Sequence, residues 1–317
     1  MEKVLRDKIE EKLHQYYQDD NFVIQGINRV PTKPGSIVFK IKIFDEVQGH
    51  LDLYAKTYDE KFSQNIIDMI NLKINHDKLL IPRILDYYDE ENIVLLEGVK
   101  GRTLSRSLLQ HGFTFGTSLN AETLVECSRK IGCAIGYLQK FTRRGEQEKI
   151  GDLEIIHIKE VESEEYFTDT LGHDLMDYIR SQVGKFKGRT TNVAQYHGDP
   201  SPHNILVKDD RVFLLDFSFQ INATFLDPAL YVVSLELMRS RFCFLKNTVT
   251  KMEDTFLSAY TEITNENWDS RTWQLIKTLT YLHYLIIYWK RKKTLKNSMV
   301  AAFDRRYLLK KINEYRI

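Results

Sequence analysis

Tyr196-His197-Gly198-Asp199-Pro200-Ser201-Pro202-His203-Asn204-Ile205-Leu206-Val207, followed by Val212-Phe213-Leu214-Leu215-Asp216-Phe217-Ser218, decides how this chain is read. It runs from a polar loop into a short apolar strand, then through a charged turn (Lys208-Asp209-Asp210-Arg211) into a second apolar strand ending in Asp-Phe. A hairpin of this size brings Asn204 and Asp216 to neighbouring strand ends. An amide oxygen and a carboxylate at that place suit a hard cation such as Mg²⁺, which takes few protein oxygens and completes its shell with phosphates and water. Asp199 precedes Asn204 in the same loop, so a carboxylate stands beside the pair, placed to orient and deprotonate an acceptor hydroxyl.

Upstream, the apolar pattern changes period twice. Over 22–58 the runs FVIQGI, SIVFKIKIF and HLDLYAKTY alternate, which predicts three antiparallel strands with a turn at Pro34-Gly35. Residues 64–79 have helical spacing (Ile66, Ile67, Ile70, Ile74), and ILDYYDEE leading into NIVLLEGV reads as a further strand pair. Five strands and a helix make a small α+β lobe, which ends near Gly98 and Gly101, where two glycines allow a hinge. Beyond that point the chain reads as mostly helical. Residues 121–141 place Leu124, Cys127, Ile131, Ile135 and Leu138 on one face. Residues 166–183 read as one helix with acidic residues at its start, and helices resume after Leu230, including WQLIKTLTYLHYLIIYW.

The segment His197-x-Asp199-x4-Asn204, with Asp216-Phe217-Ser218 where protein kinases carry Asp-Phe-Gly, resembles the catalytic loop of the aminoglycoside phosphotransferase and choline kinase group. That group is a branch of the protein-kinase-like fold. The resemblance implies an α+β two-lobed architecture: a five-stranded antiparallel lobe over 1–98, and a larger, mainly helical lobe over 99–317 that carries the catalytic loop and acceptor site. It implies an ATP-dependent kinase of an alcohol group, with ATP and Mg as cofactors. Asp199 would be the catalytic base, Asn204 and Asp216 the magnesium ligands, and His197 a support for the loop. Gly198, where protein kinases have Arg, and the absence of an Ala-Pro-Glu segment favour the small-molecule branch.

The same resemblance assigns Lys56, near the end of the third strand, to the α- and β-phosphates; an exposed edge-strand lysine is the plain alternative. The helix at 64–79 has no glutamate to pair with Lys56, and Asp68 is its best-placed acid. The segment NRVPTKPGS over 28–36 lacks a full glycine pattern, which leaves Ser36 and the amides near Gly35 to cover the phosphates. Leu95-Leu96-Glu97-Gly98-Val99 resembles the hinge, with the backbone of Glu97 and Val99 facing the adenine edge. Asp227 resembles an acid that braces the loop. At Gln139 the family often has His.

The acceptor is less legible. The 290–317 stretch is basic, with Lys290-Arg291-Lys292-Lys293, Arg305, Arg306, Lys310 and Lys311. A charge run is ordinarily a solvated helix face; lining the acceptor side, it would favour a sugar, a glycan terminus or a phosphorylated alcohol. Trp273, Tyr281, Tyr284, Tyr288 and Trp289 offer sugar-stacking rings, although their spacing also fits core packing. A sugar or glycan hydroxyl is therefore the expected acceptor. The alternatives are an aminoglycoside or other amine-alcohol, and, from another class, a nucleotide-binding pseudokinase that regulates a partner.

Composition excludes several other classes. Lys+Arg (45) nearly cancels Asp+Glu (44), which leaves no overall pull toward nucleic acid. The three cysteines lack metal spacing and suit a reducing compartment. The N-terminal stretch MEKVLRDKIEEKLHQYY is charged and amphipathic, without the apolar core of a signal peptide, and no run is long enough to span a bilayer. A cytoplasmic protein without a transmembrane segment is the expectation.

Overall fold

A computed structural model describes residues 2–16, 22–30, 37–46, 49–71, 80–113, 120–163, 165–208, 211–290 and 295–315. The chain divides into two compact units. The first runs to Lys100 and the second from Gly101 onward, with Leu80 counted in the second.

The first unit contains α1 (Glu2–Tyr16), β1 (Phe22–Val30), β2 (Val38–Asp45), β3 (Gly49–Thr57), α2 (Ser63–Asn71), β4 (Ile84–Tyr88) and β5 (Ile93–Glu97). The strands form one antiparallel sheet in the order β1-β2-β3-β5-β4. Alternation drives this sheet: in β2, Phe39, Ile41 and Ile43 are buried while Lys42 and Phe44 face solvent. The buried face, continued by Leu53 and Ala55, packs with Ile9 and Leu13 of α1. Residues 72–79 of the expected helix and the expected turn at 34–35 fall outside the described residues.

The second unit begins with β6 (Arg102–Thr103), α3 (Leu104–Phe113) and α4 (Ala121–Thr142). Asn120 caps α4, its side chain accepting the Thr123 amide at 2.7 Å. The apolar face expected from spacing is the buried one: Leu124, Cys127, Ile131, Ile135 and Leu138. Next come β7 (Glu148–Lys149), α5 (Ile156–Ser163), α6 (Glu165–Leu171) and α7 (His173–Lys187). The single helix expected over 166–183 is two. Gly172 adopts φ +85°, outside the helical region, and breaks the run between α6 and α7.

The site-bearing strands follow: β8 (Thr190–Thr191), β9 (Val193–Tyr196), β10 (Ile205–Lys208), β11 (Arg211–Leu214) and β12 (Gln220–Ala223). The chain then continues through α8 (Leu226–Arg241), α9 (Lys246–Thr264), α10 (Ser270–Lys290) and α11 (Leu295–Glu314). Among the described residues no helix is long and apolar enough to cross a membrane.

The C-terminal helices resolve two sequence readings. Tyr281 is fully buried, and its hydroxyl bonds Glu236. Trp273 stacks on Trp268 at 5.3 Å and Tyr284 on Tyr288 at 6.4 Å. These rings are packing elements, while the Trp289 side chain lies outside the described residues. On α11 the buried positions are Asp304, which pairs with Arg241 of α8, together with Leu308 and Ile312. Arg305 and Arg306 are exposed, and Lys311 pairs with Glu314 at 2.7 Å. The described part of the basic run is a solvated face.

Candidate active site

Strand β9 delivers the chain into the loop. It pairs with β12, Gln220 opposite Tyr196, and ends where His197 begins. The His197 side chain is fully buried, its ring edge-on to Phe217 at 5.7 Å, and its Nδ1 accepts the Asp199 amide at 3.3 Å. Gly198 reverses the chain at φ +91°, and a Cβ there would lie 2.9 Å from Ser218 Oγ. Both the backbone conformation and the close approach therefore require glycine. Ser218, four residues past the end of β11 at Leu214, closes the other side. Its amide donates to His197 O and its hydroxyl to Tyr196 O, each at 3.0 Å.

Below the loop lies Asp227, in the first turn of α8 and fully buried. Its Oδ2 accepts the His197 amide at 2.7 Å and its Oδ1 the Gly198 amide at 3.0 Å. Burial pushes its pKa up to about 6; the two amides and the Gln139 side chain pull the other way, and the charge of Asp199 adds to the rise. The loop peptides are thus held by a carboxylate far away in sequence, in the bracing position expected for Asp227.

The hairpin has the register its alternation predicts: Ile205 opposite Leu214, and Lys208 opposite Arg211. The Asn204 amide donates to Ser201 O at 2.8 Å, and Leu215 N donates to Asn204 O at 2.7 Å. Asn204 Nδ2 donates to the main-chain carbonyl of Asp199 at 3.0 Å. That bond spends the nitrogen of the amide on the loop and leaves Oδ1 as the side chain's acceptor end. Asp216 follows Leu215 with φ +62°, a left-handed conformation that Asp tolerates better than most residues, and is exposed. The donor set is an amide oxygen and a carboxylate at adjoining strand ends. It is a hard-oxygen set, and it fits Mg²⁺.

On the first unit, Lys56 stands on β3, opposite Val38 of β2 and Val94 of β5. Because β3 has neighbours on both sides, the edge-strand reading of this lysine fails. Alternation turns it away from the face that Leu53 and Ala55 bury against α1, and its Nζ lies 4.5 Å from the Tyr58 ring centroid. Asp68, on α2, is exposed and accepts a hydrogen bond from Gln64 Nε2 at 2.8 Å. At the end of β5, the Glu97 amide donates to Arg83 O (2.9 Å), while the Gly98 amide turns the other way to Asp52 O (2.7 Å). A Cβ on Gly98 would lie 2.1 Å from that Asp52 oxygen, so this glycine answers to strand contact, not to hinge freedom. Ser36 lies outside the described residues.

The second unit thus joins Asp199, His197, Asn204 and Asp227 through direct bonds, and Asp216 follows Leu215, whose amide donates to Asn204 O. Lys56, Asp68, Glu97 and Val99 belong to the first unit. Spacing gave no warning of Ser218 as the partner of Gly198, nor of Tyr260, whose hydroxyl donates to Gln139 Oε1 at 2.5 Å.

No family model matches this chain, and no curated protein matches it in sequence. Solved structures do match. A glucosamine kinase (crystal form B) superposes with a TM-score of 0.64 at 11% identity, over 94% of this chain and 82% of that one. An ethanolamine kinase from Plasmodium vivax gives 0.51 at 12% identity, over 91% and 82%. A macrolide 2′-phosphotransferase from Brachybacterium faecium gives 0.50 at 12% identity, over 92% and 96%. The chain has the fold of these proteins. At such identities the likeness speaks for the fold, an α+β protein-kinase-like architecture with a five-stranded antiparallel sheet and a mainly helical second unit.

Proposed function

We propose that this protein is an ATP-dependent kinase that moves the γ-phosphoryl group to a hydroxyl of a small, sugar-like molecule. The observation that carries the proposal is the bonded set around Asp199. The loop amides seat on Asp227, Asn204 is clipped to the Asp199 carbonyl, and Asp216 follows the residue bonded to Asn204. In this reading Asp199 accepts the proton of the acceptor hydroxyl, and His197 keeps the Asp199 peptide in place by accepting its amide. Asn204 Oδ1 and Asp216 would hold Mg²⁺, which neutralises phosphate charge when bound. Lys56 is assigned to the phosphates and the exposed Asp68 to its support. The carbonyl of Glu97 and the amide of Val99 are assigned to adenine; the Glu97 carbonyl shares its trans peptide with the Gly98 amide and so points away from the Gly98–Asp52 bond.

The solved relatives are named for amino sugars, amine-alcohols and macrolides, which supports a small-molecule hydroxyl as acceptor. Arg305 and Arg306 of α11 are exposed and Lys311 pairs with Glu314, which weakens the charge argument against an amine-bearing acceptor. An amine-alcohol is therefore the second reading, and an amino sugar satisfies both.

The test is Mg²⁺-dependent ADP release over neutral sugars, sugar phosphates, amino sugars, aminoglycosides and choline-like alcohols, with Asp199→Asn as the blank. Release stimulated by one class and lost in the variant supports the proposal. Nucleotide binding without release by any class would sink it and favour a nucleotide-binding regulator.

A further inference from the structure

Three fully buried side chains stand in a row beneath the loop. Tyr260 of α9 donates its hydroxyl to Gln139 Oε1 at 2.5 Å, and Gln139 Nε2 of α4 donates to Asp227 Oδ2 at 3.3 Å. A phenol has one proton, so the longer contact of Tyr260 with Thr224 O, at 3.2 Å, is the secondary one. An amide side chain can present either end to a carboxylate. With its oxygen occupied by Tyr260, Gln139 must turn its NH₂ group toward Asp227.

The helices are brought close enough for this by Gly132, where a Cβ would lie 2.5 Å from Phe256 O of α9. The Tyr260 ring is held in turn, nearly parallel to Trp268 at 5.9 Å, which stacks on Trp273.

We propose that Gln139 and Tyr260 are positioning residues, a buried hydrogen-bond relay from α9 through α4 that keeps Asp227 seated under the peptides of the Asp199 loop. The proposal rests on Asp199 being the base of the kinase reading. Its physical content is that a neutral amide donates to Asp227 from position 139, where the resembled family often has His, and does so only while Tyr260 orients it. The charges facing the relay are few. Asp199 and the Tyr196 phenol face Asp227 from the loop side, while Glu266 and Arg143, paired at 3.1 Å, face Tyr260. A carboxylate that loses a donor in such surroundings holds its proton more tightly, and a protonated Asp227 can no longer accept both loop amides as a charged group.

The relay is testable without turnover. Labelling with carbonyl-¹³C histidine and ¹⁵N glycine isolates two amides, Gly112 and Gly198, since only these glycines follow a histidine. The Gly198 amide reports Asp227 ionisation directly. In Gln139→Leu its titration midpoint is expected to rise by roughly one pH unit. Tyr260→Phe, which keeps the ring stack, moves it the same way by less, and Gln139→His restores it. In ADP release, kcat at pH 6 relative to pH 8 falls up to about tenfold further in Gln139→Leu than in the wild type, with KM for MgATP unchanged. Unaltered midpoints in both Gln139→Leu and Tyr260→Phe overturn the relay, as does a loss of kcat that is equal at all pH values. If the wild type releases no ADP with any acceptor, the kinase reading fails, and the amide titration still decides the relay.

Discussion

The side-chain amide of Asn204 donates to the main-chain carbonyl of Asp199 at 3.0 Å. One hydrogen bond thereby ties the residue assigned to the metal to the residue assigned to the proton. The loop between them, Pro200 to His203, is spanned by a further bond from Asn204 N to Ser201 O at 2.8 Å. The two roles therefore separate only when a substitution leaves this bond standing.

Asp199→Asn is such a substitution, because the bond uses the carbonyl of the main chain. Turnover is expected to fall by about 10²- to 10⁴-fold, the usual weight of a general base. MgATP affinity, measured by calorimetry, is expected to stay near the wild-type value. Parallel loss of binding and turnover would refute the base assignment.

Asp216→Asn removes the carboxylate charge while keeping a residue that tolerates φ +62°. ATP affinity with and without Mg²⁺ should converge in this variant, with thermal stability within about 0.5 kcal/mol of the wild type. A wild-type magnesium dependence in the variant would end the metal role.

Gly98→Ala tests the reading of position 98 as a contact glycine. The added methyl would meet Asp52 O at 2.1 Å, so β3 and β5 must part at their ends. Forcing extra volume into a packed contact costs about 1–3 kcal/mol. Thermal unfolding should register that loss, together with weaker ATP binding from the displaced Glu97 and Val99. An alanine variant as stable as the wild type would return the position to a free hinge.

Asp227→Asn should separate stability from function. Its carboxyl titrates at about 6 in the folded chain against 3.8 ordinarily, because burial penalises the charge. The folded state therefore binds the extra proton between these values. The stabilising contribution is complete below about 3.8 and is lost as pH rises to about 6. Asparagine lacks this titration, so the stability of the variant should fall less between pH 4 and 6 than that of the wild type. Its NH₂ group cannot accept a loop amide, so kcat should drop at every pH. Melting curves across that range check the first statement and ADP release the second; an unchanged slope would show that Asp227 is not the titrating group.

The stretch 196–218 was legible because everything in it is local. Alternation sets the 205–208 and 211–214 pairing, a one-residue slip would expose Ile205 and Leu214, and the hairpin then carries Asn204 to Leu215 whatever surrounds it. The sheet of the first unit was legible for the same reason, since period-two burial identifies strands. Strand order was not. Whether Lys56 stood on an edge was not legible, because the strand that covers β3 is β5, which sets Val94 opposite Lys56 from 38 positions away. The break at Gly172 was equally hidden, since apolar spacing continues through it and only the backbone angle ends the helix.

What the sequence determined by itself is the identity of the groups that could do chemistry and their order along one loop. What tertiary structure decided is how that loop is held. Gln139 and Asp227 are 88 residues apart, and Tyr260 and Gln139 are 121 apart. No periodicity reaches across such separations; only the packing of α4 on α9 makes an amide, a phenol and a carboxylate satisfy one another, because all three are fully buried and a buried polar group left unbonded is costly.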